Sequence, residues 1–344
     1  VKALVCESWR DFDDLELKEV DPPPMRPRGV RIRVEAVGVS FAVQLVVAGK
    51  YQRKPPLPFS PGTEIVGTVL EAAPDAEAPP VGTRVFAVLD WGGMAEEAIA
   101  DDIHVMALPE GLPEGLQAAA AVALPISYPT AAAALLWRGR LAAGQTVLVQ
   151  GAGGGVGLAA LEVARAVGAQ VIARAGLPKH PMLAARGAIA VLDSAEPFRA
   201  AVSNVTQGRG VDLVVDTLGG EAFDEGLRCL AEGGTLLTLG YAAGTIPQLG
   251  VNLLLLKNIG VAGLNWGTYI GWSPGDNRHA HAPRVRALWQ QLLDWWGEGK
   301  LRPELHAALP LEDFRAGMAL VRGRGVTGRV VLCPGGVPPG RSIP

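Results

Sequence analysis

The residues best placed to do chemistry surround one glycine-rich stretch. The apolar run Thr146-Val147-Leu148-Val149-Gln150 leads into Gly151-Ala152-Gly153-Gly154-Gly155-Val156-Gly157, and a helix-like segment, Leu158 to Val167, follows. A strand that delivers the chain to a turn free of side chains, just before a helix, lets backbone N–H groups and the positive helix end approach a pyrophosphate. Gly151, Gly154 and Gly157 give a G-x-x-G-x-x-G spacing; the strict G-x-G-x-x-G form is absent because position 156 is Val. Gly151, Gly154, Gly155, Val156 and Gly157 are therefore the candidate cradle. A glycine-rich turn without a ligand would show the same glycines, and the strand before and helix after favour the binding reading.

The end of the next strand selects the nucleotide. An NAD site places an Asp or Glu about 20 residues past the glycines, where it would repel a 2′-phosphate. Here the chain reads Val171-Ile172-Ala173-Arg174 and then Ala175-Gly176-Leu177-Pro178-Lys179-His180, with no carboxylate. Arg174 and Lys179 suit a 2′-phosphate through charge-assisted hydrogen bonds, which points to NADPH. The alternative for both is an ordinary surface cation. His279 and His281 form an H-x-H pair without a third ligand, more in keeping with a loop than with a metal site. Asp212 and Asp216 flank a strand and are expected to cap or orient the following turn.

These residues need a scaffold. Residues 1 to about 120 read as short strands (Val1 to Cys6, Leu15 to Val20, Val30 to Val39, Ile65 to Glu71, Arg84 to Leu89, Glu97 to Ala100) punctuated by Pro and Gly clusters, a small and mostly antiparallel β domain. An Ala-rich segment, Leu116 to Leu136, broken by Pro125 and Pro129, predicts two helices. Apolar strands Thr146 to Gln150, Gln170 to Ala173, Ala190 to Leu192, Asp212 to Asp216, Thr235 to Leu239 and Gly260 to Leu264 then alternate with helix-length segments. That pattern predicts an α/β, doubly wound parallel sheet. Beyond Trp272, Val285, Leu288, Trp289, Leu292, Leu293 and Trp296 make one apolar helix stripe. A further helix carries Phe314, Gly317, Met318 and Val321 on one face, and the strand Arg329 to Leu332 is expected to rejoin the first domain. The tail from Pro334 to Pro344 reads as loose.

With 344 residues, 49% hydrophobic and 19% charged, the chain is long enough for about two folded domains. A net charge of −3 and no run of Lys and Arg argue against nucleic acid or anionic membrane as main partners. Cys6, Cys229 and Cys333 lie far apart, as free thiols in a reducing compartment would, so a cytoplasmic protein is expected. The opening VKALVC shows no export signal, and no run is expected to approach the length of a membrane span.

Four segments and the glycine loop together resemble the medium-chain dehydrogenase/reductase superfamily: Gly38-Val39-Ser40-Phe41, Pro56-Leu57-Pro58-Phe59-Ser60-Pro61-Gly62-Thr63-Glu64, Gly92-Gly93-Met94-Ala95-Glu96, and Gly233 to Gly240 continuing through Asn252 to Ile259 and Gly263 to Gly267. More narrowly they are similar to its zinc-free quinone oxidoreductase (zeta-crystallin-like) branch. The resemblance implies a Rossmann-type cofactor domain (121–268) within a split, GroES-like catalytic domain (1–120 and 269–344). It also implies a homodimer through the strand near Val261 to Leu264. By position it implies cofactor contacts at Thr130, Leu239, Gly240, Asn265 and Trp266, with Arg329 in a Thr-Gly-Lys-like turn; simple packing is the alternative for Trp266.

Zinc relatives carry a Cys in the segment equivalent to Gly38 to Gln44 and a His where Thr63 stands; this chain has neither, nor a clustered set of four cysteines. The resemblance thus implies NADPH-dependent reduction of quinones or other activated α,β-unsaturated carbonyls without zinc. Tyr51 is the candidate proton donor or substrate clamp, with packing at a domain rim as the alternative. Ser40 and Val43 stand where the branch has Asn and often Asp, which shifts the expected preference toward apolar acceptors. Two other readings remain open: a 2-alkenal or enoyl-thioester reductase, and a non-catalytic NADPH-binding protein.

Overall fold

The computed structural model describes residues 1–111, 119–323 and 325–337. Residues 116–118 of the Ala-rich segment and the last seven residues of the tail lie outside them. The chain divides into unit 1 (Val1–Ile126, Gly267–Leu293, Pro303–Pro344) and unit 2 (Ser127–Trp266, Asp294–Arg302).

Unit 1 opens with an antiparallel pair, β1 (Lys2–Val5) and β2 (Glu16–Glu19). Its main sheet is built on β3 (Gly29–Val39), where Ile32 and Val34 turn inward while Arg33 faces solvent, the period-two pattern of a strand with one wet face. A short helix, α1 (Phe41–Val47), follows, and then β4 (Glu64–Ala72), β5 (Arg84–Val88), β6 (Glu97–Asp101) and β7 (Val105–Ala107). The strand Arg329–Cys333 returns to pair antiparallel with β3, as its sequence predicts, and Leu305–Pro310 pairs parallel to it at the sheet edge. Leu305–Pro310 and β7 carry too little alternation to be read beforehand. One contiguous core joins Leu4, Val37, Ile65, Val85, Phe314 and Met318.

Unit 2 holds α2 (Ser127–Ala132), β8 (Thr146–Gln150), α3 (Gly155–Val167), β9 (Gln170–Ala175), β10 (Ala190–Asp193), β11 (Val211–Asp216), β12 (Leu230–Thr238) and β13 (Gly260–Gly263). The strands run in the order β10-β9-β8-β11-β12-β13, and every pair is parallel. This is the doubly wound order in which the chain reverses direction across the sheet beside its first strand, β8, and such a switch point opens a crevice at the carboxyl ends of the strands. All five residues of β8 are buried, as a strand covered on both faces requires.

Three expectations change. Pro129 does not break a helix: it lies in the first turn of α2, where its missing N–H costs nothing, and the helix widens into a π-type turn over Ala133–Arg138. The stretch Ala120–Arg138 has 19 residues and a mean hydropathy of 1.4, long and apolar enough to cross a membrane by those measures, but 78% of that window is buried within the protein. Segment Asp294–Arg302 goes with unit 2, because Arg302 N donates to the buried Glu162 carboxylate at 2.8 Å and its carbonyl accepts from Arg186 at 2.5 Å.

Candidate active site

In unit 2 the glycine loop starts where β8 stops. Gly151 takes φ +68°, a left-handed turn open to glycine, and its carbonyl accepts from Gly154 N at 3.0 Å. Gly154 then enters the 13-residue α3 without a side-chain cap, so the positive helix end is offered to a ligand. Gly157 packs hardest, since a Cβ there would sit 2.1 Å from Gly151 O. The stem of Lys179 crosses the loop so closely that a Cβ on Gly153 would meet its Cδ at 2.2 Å, and burial pushes the Lys179 ammonium pKa down. A lysine laid over an uncapped helix N-terminus at the switch point fits a dinucleotide phosphate.

Arg174 is more buried than a surface cation: it donates to Ser194 O at 2.6 Å and lies over the Phe198 ring at 4.5 Å, while its Nε has no partner among the described residues. Burial lowers its pKa, and the charges of Glu225 and Asp193 oppose that shift. Asp216 accepts from Leu218 N and Gly219 N and so shapes the turn after β11; Asp212 binds Thr146 N and Arg209. Leu239 donates to Asp216 O, and Gly240 follows it beyond β12. Asn265, exposed beyond β13, belongs to the same carboxyl edge of the sheet, and Thr130 lies on α2. Trp266 is buried against Trp137, with ring centroids 6.0 Å apart.

Arg329 belongs to unit 1. It is largely buried at the start of its strand, ion-paired with Glu64, and desolvation pushes its pKa down to about 10. Its charge is thus engaged by the carboxylate that follows Thr63.

Unit 1 gathers Ser40, Val43, Tyr51, Arg53, Phe59, Thr63, Asp90, Trp91 and Trp272 around one pocket. Ser40 is extended before α1 and makes no capping hydrogen bond. Tyr51 follows the turn at Gly49, where φ is +66° and a Cβ would meet the Trp9 ring at 2.9 Å, so a side chain is excluded. Burial raises the Tyr51 pKa, the Arg53 charge opposing, so the phenol holds its proton. Arg53 lies over the rings of Trp91 and Trp272 at 5.4 and 5.7 Å and bonds Asp90 at 2.5 Å. Burial alone would raise the Asp90 pKa, but the hydrogen bond from Arg278 and the charge of Arg53 hold it below the usual range. Sequence reasoning found Ser40 and Tyr51, took Arg53 with Lys54 only as basic residues near the cleft mouth, and missed Asp90, Trp91 and Trp272, which complete a wall spread over more than 200 positions; the signal for it was the Asp90-Trp91 pair preceding the Gly-Gly turn.

A zinc ion does not fit these residues. The pocket offers hydroxyls but no thiol or imidazole, and its carboxylate, Asp90, is bound by two arginines. Among the described residues no three His, Cys, Asp or Glu come together as metal ligands. His281 instead stacks edge-on against Tyr269.

Comparison with known proteins agrees with this geometry. Residues 26–121 match the alcohol dehydrogenase GroES-like domain and residues 155–280 the zinc-binding dehydrogenase domain, which defines a dehydrogenase/reductase of two-domain type. Quinone oxidoreductase-like protein 2 of Rattus norvegicus is 38% identical over 334 residues, 96% of this chain and 91% of that protein. Quinone oxidoreductase of Homo sapiens is 30% identical over 318 residues, 91% and 92% of the two chains. The quinone oxidoreductase of Thermus thermophilus, solved also in complex with NADPH, superposes with a TM-score of 0.80 at 33% identity and covers 97% of this chain and 100% of its own. The chain belongs to the medium-chain dehydrogenase/reductase superfamily, in its zinc-free quinone oxidoreductase branch, and is an oxidoreductase of that class.

Proposed function

We propose that the protein catalyses NADPH-dependent, zinc-independent reduction of quinones or other activated α,β-unsaturated carbonyls. The observation that carries this reading is the unit 1 pocket, where the hydroxyls of Ser40, Tyr51 and Thr63 stand among aromatic walls with no zinc ligand set. NADPH, when bound, supplies the hydride. Unit 2 binds its phosphates with the Gly151–Gly157 loop and Lys179, and the lysine's charge supports NADPH over NADH. The aromatic walls orient a flat acceptor and exclude water, and Tyr51 keeps a proton at its Oη for the reduced oxygen. The relative solved with NADPH supports the same cofactor.

The proposal extends to a cytoplasmic homodimer. All three cysteines are free and buried, and β13 is an edge strand next to a helix that exposes Leu255 and Leu256 at 79% and 72%. The test is oxidation of NADPH and NADH by EDTA-treated protein with 1,4-benzoquinone, 9,10-phenanthrenequinone, an alkenal and crotonyl-CoA, together with its mass by light scattering. Consumption of NADPH with a quinone or enone supports the reading. Cofactor binding without turnover of any acceptor replaces it with a non-catalytic NADPH-binding protein, and a monomer removes the dimer.

A further inference from the structure

Hydride addition to a quinone or enone forms a C–H bond and pushes the π electrons onto the acceptor oxygen, which is an oxyanion until protonated. We propose that Arg53, clamped between Trp91 and Trp272 and held by Asp90, is the oxyanion-stabilising residue of the unit 1 pocket and makes it selective for acceptors whose reduction leaves a phenolate- or enolate-like oxygen. This rests on the reaction proposed above.

Three observations carry it. Arg53 lines the pocket beside Tyr51 and is fixed on several sides, over two indole rings and against the Asp90 carboxylate and carbonyl. A cation so fixed needs no reorganisation when charge develops next to it. Secondly, Arg53 has no carboxylate to itself: Asp90 is shared with Arg278, which binds it at 2.9 Å, and with Arg26 at 3.9 Å. The shared carboxylate leaves the Arg53 guanidinium only partly neutralised where the pocket is lined mainly by apolar side chains. Thirdly, Trp272 Nε1 is buried and has no hydrogen-bond partner among the described residues, an orphaned donor on a pocket residue that an acceptor oxygen would satisfy. Burial raises the Tyr51 pKa and Arg53 opposes that shift; Arg53 and Asp90 are the charged groups that share the pocket with the phenol. Asp90 is a positioning residue, since Arg278 locks it from the far side.

A phenolate dye reads this without turnover. 4-Nitrophenol is titrated into the full chain from about pH 5 to about pH 9 and its ionisation followed by absorbance. The bound dye is expected to ionise at a lower pH than free dye. The preference for phenolate should fall about tenfold in Arg53→Gln, fall partly in Asp90→Asn and largely return in Arg53→Lys, with NADPH affinity unchanged. In turnover, Arg53→Gln should lower kcat for 1,4-benzoquinone by more than it raises KM. Failure of the dye to bind, absence of a phenolate preference, or a preference indifferent to Arg53 in variants with native circular dichroism overturns the inference even if quinones are reduced. A phenolate preference that needs Arg53 in a protein that turns over no acceptor upholds the anion site and rejects the proposed reaction instead. Should Arg53→Gln not fold, Arg53→Lys and Asp90→Asn decide: loss in Asp90→Asn with retention in Arg53→Lys supports the clamp, and no change in either overturns it.

Discussion

Replacing Gly157 by Ala tests the cofactor loop at its tightest contact. The new Cβ would lie 2.1 Å from Gly151 O, 2.7 Å from Gly151 C and 2.8 Å from Ala152 Cα. Non-bonded heavy atoms rest near about 3.5 Å, so the turn must retreat from the helix by more than about 1 Å. Every atom in the way is backbone, with no flexible side-chain end to swing aside. Overpacking of this kind costs about 1–3 kcal/mol of stability, and a shift near about 1 Å in a positioning element costs about 100-fold in its task. Gly157→Ala should therefore lower the melting temperature and weaken NADPH binding at least about tenfold by fluorescence titration. Gly154→Ala is the control. Its Cβ meets nothing closer than Gly151 O at 3.5 Å, and its φ of −84° suits alanine, so stability should be kept. Loss of NADPH affinity in Gly154→Ala at unchanged melting temperature would then come from the ligand's approach alone. If Gly157→Ala kept both its melting temperature and, within about twofold, its NADPH affinity, the reasoning about helix-to-loop packing would be refuted.

Lys179→Ala should weaken NADPH about tenfold while leaving NADH nearly unchanged, because Lys179 follows the end of β9, where a 2′-phosphate would be met; equal losses for both cofactors would assign Lys179, whose stem crosses the glycine loop, to the shared pyrophosphate. Burial first, and then the Arg278 charge, hold the His104 pKa down to about 3, so below about pH 6.5 the unfolded chain takes up a proton that the folded chain refuses. Stability is whole above about pH 6.5 and falls as the pH drops toward about 3, by up to about 4–5 kcal/mol, and urea unfolding at stepped pH should show a flatter slope in His104→Gln. An identical slope in that variant would move the acid sensitivity elsewhere.

The parallel sheet was legible because its strands are apolar on both faces and need no partner to be recognised. Thr146–Gln150 was readable to the residue, and the glycine loop with it. Leu305–Pro310 was not, since an edge strand ending in Pro lacks alternation, and its place depends on Arg329–Cys333 arriving from elsewhere in the chain. Pro129 misled for a related reason: a proline costs a helix its hydrogen bond only past the first turn, and the sequence does not say where that turn begins.

The site divides along the same line. Contacts made by consecutive residues, as in the loop, can be read from composition, whereas contacts that join distant segments cannot. Gly153 shows the limit: nothing in the spacing of the loop says that the Lys179 stem crosses it, and only the fold brings those two positions together. Arg53 shows the same at larger scale. Beside Lys54 it looks like one of two cations at a cleft mouth, but Asp90 lies 37 positions away and Trp272 more than 200, and those two turn a surface charge into a fixed one. A charge that can relax gives a reaction little, because water does the same work outside; a charge that is held contributes its full field at the moment the acceptor oxygen becomes negative. On this argument the acceptor specificity of such a pocket follows from what immobilises its cation more than from which residue lies nearest the substrate.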